Sequence, residues 1–429
     1  MGRSHGMSTT LDILRDTITS FLTEVNALSL PGPGWTRPSY SDLESAAHSI
    51  VERRALAMGL QVSRDNAGNL FAKMAGRNPK AVPIYIGSHL DTVAQGGAYD
   101  GQAGVAAALA LVAGLRAQGI TPQSDVIITV TRAEESVWFP VSYVGSRSFL
   151  GQVTRDEMAA KRSDTGRSLA DHMREAGFDP EGVLQSPPPA PARFIECHIE
   201  QGPVLHEADE SYAIVRGIRG GLRYRAATIH GVWAHSGGAP RPSRADAVMA
   251  FADLAMAMDQ HWAGILAQGD DLAVTFGRVD AATAVHAMAK VPGQLEFCLD
   301  MRSDTVAVLE RANGALMQEI ARIEAARPGI RFDLGAQSRS QPATLSTAMQ
   351  DFVAKGADLL GHAPRRMVSG GGHDAAAFAA NGWESVLVFI RNWDGSHCPQ
   401  EGMNPEDLVQ ATLAILAAVG HEAGEAAHE

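Results

Sequence analysis

Six side chains able to hold a metal or move a proton stand at the ends of apolar runs: His89, Asp100, Glu134, Glu135, His198 and His397. Residues 81–86 are apolar and partly β-branched, and Gly87-Ser88-His89-Leu90-Asp91-Thr92 follows them. That pattern reads as a buried strand. His89 then falls at the carboxyl edge of a sheet, where open α/β folds carry their ligands. Asp91 is two residues on and can face the same side. It can hold one ring nitrogen of His89 and leave the other for a metal. Asp100 stands in a glycine-rich turn, Tyr99-Asp100-Gly101-Gln102-Ala103-Gly104. Histidines and carboxylates without a thiolate suit a hydrolytic zinc or manganese centre. Two metals about 3.5–4 Å apart need a bridging carboxylate, for which Asp100 is the candidate. Adjacent acids such as Glu134 and Glu135 are costly to bury unless a cation neutralises them. One can ligate metal while the other accepts a proton from water held there.

These residues need elements to place them. A second buried strand over 125–131 ends in Arg132-Ala133-Glu134-Glu135, and a third over 193–199 ends in His198-Ile199-Glu200-Gln201-Gly202. Helices are expected over 11–28, 41–58 and 105–118, the second with Ser41 as cap and Glu44 at the capping-box position. Short paired strands flank Asn66-Ala67-Gly68. From about Gly217 the order becomes strand 223–230, helix 244–262, strands 272–279 and 295–300, helix 306–326 and strand 330–334. That β-α-β-β-α-β order is the ferredoxin-like unit. Helix 345–360, strand 385–390 and helix 405–419 follow, the last opened by Asn404 and Pro405. The expected fold class is α/β: a mixed-sheet catalytic domain of 9–216 and 337–429, interrupted by an inserted α+β unit of 217–336. The first eight residues are left outside the fold, and the tail after Gly420 is expected to fray.

The chain has 429 residues, which suits two domains. A net charge of −12 argues against a nucleic-acid or membrane-surface role. Cys197, Cys298 and Cys398 make no Cys-X-X-Cys pair, so neither a disulfide framework nor a thiolate zinc site is indicated. Three scattered thiols suit a reducing cytoplasm. No apolar run reaches transmembrane length, and the N-terminus lacks a signal peptide's apolar core.

Taken together, Gly-Ser-His89-Leu-Asp91-Thr, Asp100-Gly, Glu134-Glu135, His198-Ile-Glu-Gln201-Gly-Pro203, Ala-His235-Ser-Gly, Gly370-Gly371-Gly372-His373-Asp374-Ala and Ser-His397 resemble the di-metal aminoacylase and carboxypeptidase-like hydrolases. The version around His198 is similar to their hydantoinase/carbamoylase branch, which holds N-carbamoyl-L-amino-acid hydrolases, allantoate amidohydrolases and β-ureidopropionases. The resemblance implies a zinc-hydrolase catalytic domain and makes the inserted unit a lid and dimerisation domain. It implies two divalent metals per chain, Zn2+ foremost with Mn2+ or Co2+ as alternatives. Asp100 would bridge them, His89 and His198 would complete one, and Glu135 and His397 the other. Glu134 would be the general base that later protonates the leaving amine, and Asp91 would orient His89. His235 would stabilise the oxyanion, in the partner subunit's site of a homodimer. Gln201, Arg302 and the turn of Gly371, Gly372 and His373 would hold substrate.

Two departures stand out. The family tends to carry Asn-Val-Ile-Pro where this chain has Ala289-Lys290-Val291-Pro292, so Ala289 replaces a substrate-binding Asn. His286, just before it, is a candidate replacement, since an imidazolium can also meet a carboxylate. Ser136-Val137-Trp138-Phe139 stands where the family tends to have Gly and Arg. Trp138 and Phe139 are read as an aromatic wall favouring apolar substrate parts. The expected reaction is metal-dependent hydrolysis of a linear amide C–N bond in an N-carbamoyl or related N-acyl amino acid. Allantoate-type, dipeptidase and N-acyl-amino-acid hydrolase activities are the alternatives on the same scaffold, and a non-catalytic metal-binding relative is disfavoured by the free base Glu134.

Overall fold

A computed structural model describes residues 2–281 and 286–425, with side chains from Thr9 on. The chain forms two compact units: Met1–Arg216 with Leu345–Glu429, and Gly217–Thr344.

The first unit is built on four parallel strands in the order Val126–Thr131, Ile84–His89, Arg193–Ile199 and Glu384–Ile390. Their residues are apolar, largely β-branched and almost wholly buried, as strands covered on both faces must be. Antiparallel neighbours flank them: Leu70–Met74 and Gln61–Arg64 on one side, Tyr212–Ile218 on the other. Parallel pairing sends all four central strands out at one edge. His89 pairs with Thr131, and His198 with Phe389. The segments carrying His89, Glu134, Glu135, His198 and His397 therefore all begin there.

Helix Gln102–Ala117 is rich in Ala and nearly all buried. Small side chains let it lie close on the strands. At Gly104 a Cβ would press on the Cys197 carbonyl and stand 2.7 Å from the Ser88 Cβ. Helices Gly2–Asn26, Thr347–Asp358 and Pro405–Glu425 join it around one core that includes Leu14, Leu109, Val353 and Leu416.

The second unit has the strand order Arg331–Asp333, Gly220–His230, Gln294–Ser303, Ala273–Asp280, each pair antiparallel. With helices Ala247–Ala267 and Val306–Ala326 this is the expected ferredoxin-like arrangement. Gln294–Ser303 is more buried at every second residue, so one face of the sheet packs on a core of Leu222, Phe297 and Leu316. The unit runs past the expected end at 336. Gln337–Ser340 pairs with Gly220–His230, and Ala343 and Thr344 pair with Ile218 and Gly217.

Other expectations shift locally. The first helix starts at Gly2, and the last runs through Glu425 rather than fraying after Gly420. Strand Tyr212–Ile218 and four short helices between Val144 and Gln185 had no expectation. Ser41 caps its helix as expected, but the reciprocal half of the capping box is absent. Glu44 turns inward instead and accepts the N–H groups of Tyr40 (2.7 Å) and Ala133 (3.0 Å).

The same carboxylate meets Arg132 at 2.9 Å, and both side chains are buried. Arg132 also donates to the Gly68 carbonyl at 3.0 Å and lies over the Phe178 ring. The pair anchors the strand end immediately before Glu134. Removing one partner leaves a buried charge uncompensated, so Glu44→Leu should lower stability by about 3–5 kcal/mol. The double variant Glu44→Leu/Arg132→Met should recover much of that loss in urea unfolding. Equal losses in the single and double variants would show that the pair acts through packing alone.

Candidate active site

Five of the predicted side chains meet around Asp100. They form two donor groups, His89 with Asp100 and His198, and Asp100 with Glu135 and His397, each within 4.8 Å. Asp100 belongs to both and divides its oxygens between them. Oδ1 lies 3.2 Å from His198 Nε2 and 3.5 Å from His89 Nε2. Oδ2 lies 3.4 Å from His397 Nε2, which is in turn 3.4 Å from Glu135 Oε1. Glu134 is in neither group; its Oε2 is 3.9 Å from His89 Nε2.

The donors are prepared for a cation. His89 Nδ1 is 3.0 Å from the Asp91 carbonyl, and His198 Nδ1 is 2.9 Å from the Ile199 carbonyl. Each ring thus carries a proton on Nδ1 and turns Nε2 to the cluster. Among the described residues no Lys or Arg pairs with Asp100, Glu134 or Glu135. Burial raises Glu134 well above the ordinary carboxylate range, with Glu135 and Asp374 adding to it. Burial and Asp100 push Glu135 up to about 7. Burial opposes ionisation of Asp100, yet His198, His397 and His89 hold it well below its usual value. A crowd of buried acids balanced only by imidazoles is a site whose charge a divalent cation would complete.

Backbone geometry places these groups. Asp91 is fully buried, and its carboxylate does more than face His89. Oδ1 accepts the Glu134 N–H at 3.1 Å, and Oδ2 accepts the Glu135 N–H at 3.2 Å and the Ser39 hydroxyl at 2.6 Å. The His89 ring is held chiefly by the Asp91 carbonyl, with Oδ1 at 3.4 Å. Gly101 has φ +71°, and a Cβ there would press on the His89 ring at 2.5 Å, so the turn that carries Asp100 requires glycine. Two further buried acids tie the strand ends together: Asp374, quoted in its motif without a role, and Glu196, which sequence reasoning missed. Asp374 accepts the Thr131 and Ser146 hydroxyls, and Glu196 accepts the Ser88 hydroxyl at 2.7 Å and the Ala375 N–H at 2.8 Å. Alternation along strand Arg193–Ile199 puts Glu196 on the face of His198, a signal the sequence did offer.

The expected substrate residues divide between the units. In the first, Gln201 has φ +63° and donates to Asp100 Oδ2 at 2.8 Å. Gly371 lies by the Gln201 carboxamide, and Gly372 lies under the Tyr143 hydroxyl. His373 is buried, 3.0 Å from Ser369 Oγ, with its ring against His198. Tyr143 was missed; it holds a left-handed backbone at φ 56°, rare for a bulky residue. In the second unit, His235 is exposed, and its Nδ1 accepts the N–H groups of Gly237 and Gly238 at 3.2 and 3.0 Å. Ala289 sits beside it, its carbonyl accepting the Ser236 N–H at 2.9 Å, while His286 is exposed. Arg302 pairs with Asp300 at 2.9 Å.

The aromatic wall is not there. Trp138 and Phe139 are buried in a satellite core with Tyr40, Val144 and Met173, and Trp138 donates to the Thr92 carbonyl at 2.7 Å. An indole with its N–H satisfied inside the fold offers no face to a substrate.

Comparison with known proteins agrees with this chemistry. Residues 85–421 match the family described as peptidase family M20/M25/M40. An allantoate amidohydrolase of Escherichia coli is 31% identical over 393 residues, covering 90% of this chain and 93% of that one. An N-carbamoyl-L-amino acid amidohydrolase of Geobacillus stearothermophilus is 30% identical over 381 residues, covering 88% and 90%. The crystal structure of a hydantoinase/carbamoylase family amidase from Burkholderia multivorans superposes with a TM-score of 0.85 at 27% identity, covering 95% of this chain and 98% of that one. With a family match over most of its length, relatives named as amidohydrolases and two clustered donor groups, the chain belongs to peptidase family M20/M25/M40 as a metal-dependent hydrolase of amide carbon–nitrogen bonds.

Proposed function

We propose that the chain hydrolyses an N-carbamoyl or related N-acyl amino acid with two divalent metal ions, Zn2+ first among the candidates. The observation that carries this reading is Asp100, whose two oxygens face two separate donor groups. His89 and His198 would hold one ion, Glu135 and His397 the other. Bound metal supplies a Lewis acid and lowers the pKa of water to about 7. The protein's own groups do the rest. Glu134 stands outside both donor groups, buried at the cluster's edge, and takes the proton from water. It then returns that proton to the leaving nitrogen. Asp91 fixes the backbone of Glu134 and so the reach of its carboxylate. His235 accepts two N–H groups at Nδ1, which puts its proton on Nε2 and makes it a donor suited to an oxyanion. Arg302 offers a planar fork for a substrate carboxylate.

Allantoate is the second substrate reading, and the burial of Trp138 and Phe139 favours it. Without that aromatic wall, the reason given for preferring apolar substrate parts over polar ureido arms is gone. A panel of N-carbamoyl amino acids, N-acyl amino acids and allantoate, followed by ammonia or amine release, separates the two.

The proposal includes a homodimer through the second unit. Strand Ala273–Asp280 is an edge of its sheet, and helix Ala247–Ala267 exposes Val248, Met249, Met256 and Leu266. An open edge beside an apolar helix face calls for cover, and a second copy supplies both. The reading places the enzyme in the cytoplasm, where its unpaired Cys197, Cys298 and Cys398 stay reduced. No described helix is long and apolar enough to cross a membrane.

Exhaustive chelation should abolish turnover, and Zn2+, Mn2+ or Co2+ should restore it; full activity in a metal-free preparation refutes the metal chemistry. Glu134→Gln should keep metal and fold while turnover falls about 10²–10⁴-fold, because the amide cannot take a proton. Near-normal turnover in that variant would move the base to Glu135. Mixing His235→Ala chains with Glu134→Gln chains, each inactive alone, should restore activity if His235 serves the partner's site. No recovery after demonstrated subunit exchange would assign His235 to its own chain.

A further inference from the structure

The candidate ligands differ in how they are held. His89 and His198 belong to buried strands of the central sheet, and both rings are pinned through Nδ1. His397 lies in a loop, about half exposed, where Asp394, Gly395 and His397 all have left-handed backbones, with φ of 60°, 74° and 61°. The geometry of the second donor group therefore depends on whatever anchors that loop.

Asn392 Nδ2 holds the Gly395 carbonyl at 2.6 Å, and Glu401 ties the loop to the turn of Asp100. Glu401 is buried, and its Oε1 accepts the backbone N–H groups of Tyr99 at 2.9 Å and Asp100 at 3.2 Å. Its Oε2 accepts the Ser396 hydroxyl at 2.7 Å, and Ser396 Oγ lies 2.6 Å from Asp100 Oδ2. One carboxylate thus joins the turn of Asp100 to the loop of His397 across some 300 residues of sequence. The fit is close: a Cβ on Gly97 would overlap the Glu401 carboxylate. Two N–H groups converge on one oxygen, and Ser396 Oγ, which also lies against Asp100, meets the other.

We infer that Glu401 is a positioning residue that clamps the Asp100 turn to the Ser396–His397 loop and so shapes the metal position of Asp100, Glu135 and His397. The inference rests on the two-metal reading above. It makes the two positions unequal. Loss of the clamp leaves His89 and His198 on their strands and releases His397.

The test is zinc binding by calorimetry, with metal content by mass spectrometry, on full-length metal-stripped wild type, Glu401→Ala, Glu401→Gln and Ser396→Ala. Thermal unfolding of each stripped protein is recorded alongside. Wild type should take two zinc ions per chain. Glu401→Ala should weaken one of them by about 10–100-fold and leave the other within about threefold. Glu401→Gln should retain most of the affinity, because its carbonyl still accepts the two N–H groups and its NH2 reaches Ser396 Oγ. Ser396→Ala should weaken the same ion as Glu401→Ala. Two ions weakened equally, neither ion weakened, or a loss explained by a lowered unfolding temperature in every variant would each overturn the clamp while leaving the two-metal reading in place. A wild type that binds fewer than two zinc ions would overturn that reading and the clamp with it.

Discussion

Much of the candidate site hangs on one buried carboxylate that belongs to neither donor group. Asp91 receives the N–H groups of Glu134 and Glu135 and the Ser39 hydroxyl, while its carbonyl fixes the ring of His89. Three features meet in it: the proposed base, one proposed ligand of each group, and the loop from the second helix's entry. A fully buried acid is tolerated only when its oxygens are satisfied, and burial does push this one upward. Contact with His89, the Ser39 hydroxyl and the Glu134 N–H outweighs burial and holds it below its usual value. The carboxylate thus stays charged, and its charge fixes where two other acids begin.

The sheet makes that economy possible. Parallel strands deliver their carboxyl ends to one edge, so residues far apart in sequence need only short excursions to meet. The excursions are not free. Ala133, Tyr143, Gln201 and His397 all take left-handed conformations, and none is glycine. Each lies at or next to a group that faces the cluster. Strain of this kind persists where surrounding bonds over-determine the backbone. Around Ala133 those bonds are visible: Glu44 accepts its N–H, and its carbonyl accepts the Val144 N–H at 3.0 Å.

How much of this was legible follows from the range of each signal. Strand ends and side-chain types are local patterns, and His89, Asp100, Glu135, His198 and His397 do lie together. The ferredoxin-like order is legible for the same reason, since period and element length report it directly. Partners across the fold are not. Ser41 and Glu44 spelled a capping box, but the buried guanidinium of Arg132 competes for the carboxylate and wins. Trp138 read as a substrate wall because nothing local shows that Thr92 supplies a carbonyl for its indole. The end of the second unit was missed because strands as short as Ala343–Thr344 carry too few residues to show a period. Glu401 escaped notice because an acid in a loop has no local signature until Tyr99, Asp100 and Ser396 surround it.

The two departures from the family pattern now differ in kind. Trp138 serves the fold: its N–H braces the Thr92 carbonyl, just beyond Asp91, and its ring fills a core. Ala289 fills no core. It lies on an exposed segment whose carbonyl bonds to Ser236, next to the proposed oxyanion donor His235. A methyl in place of a carboxamide keeps that backbone bond and removes two donors and an acceptor from the neighbourhood of His235. A site that loses a polar anchor discriminates less between substrates that can and cannot pair with it. On the proposed reading the base Glu134 and both donor groups belong to the first unit, and the change at Ala289 falls in the second.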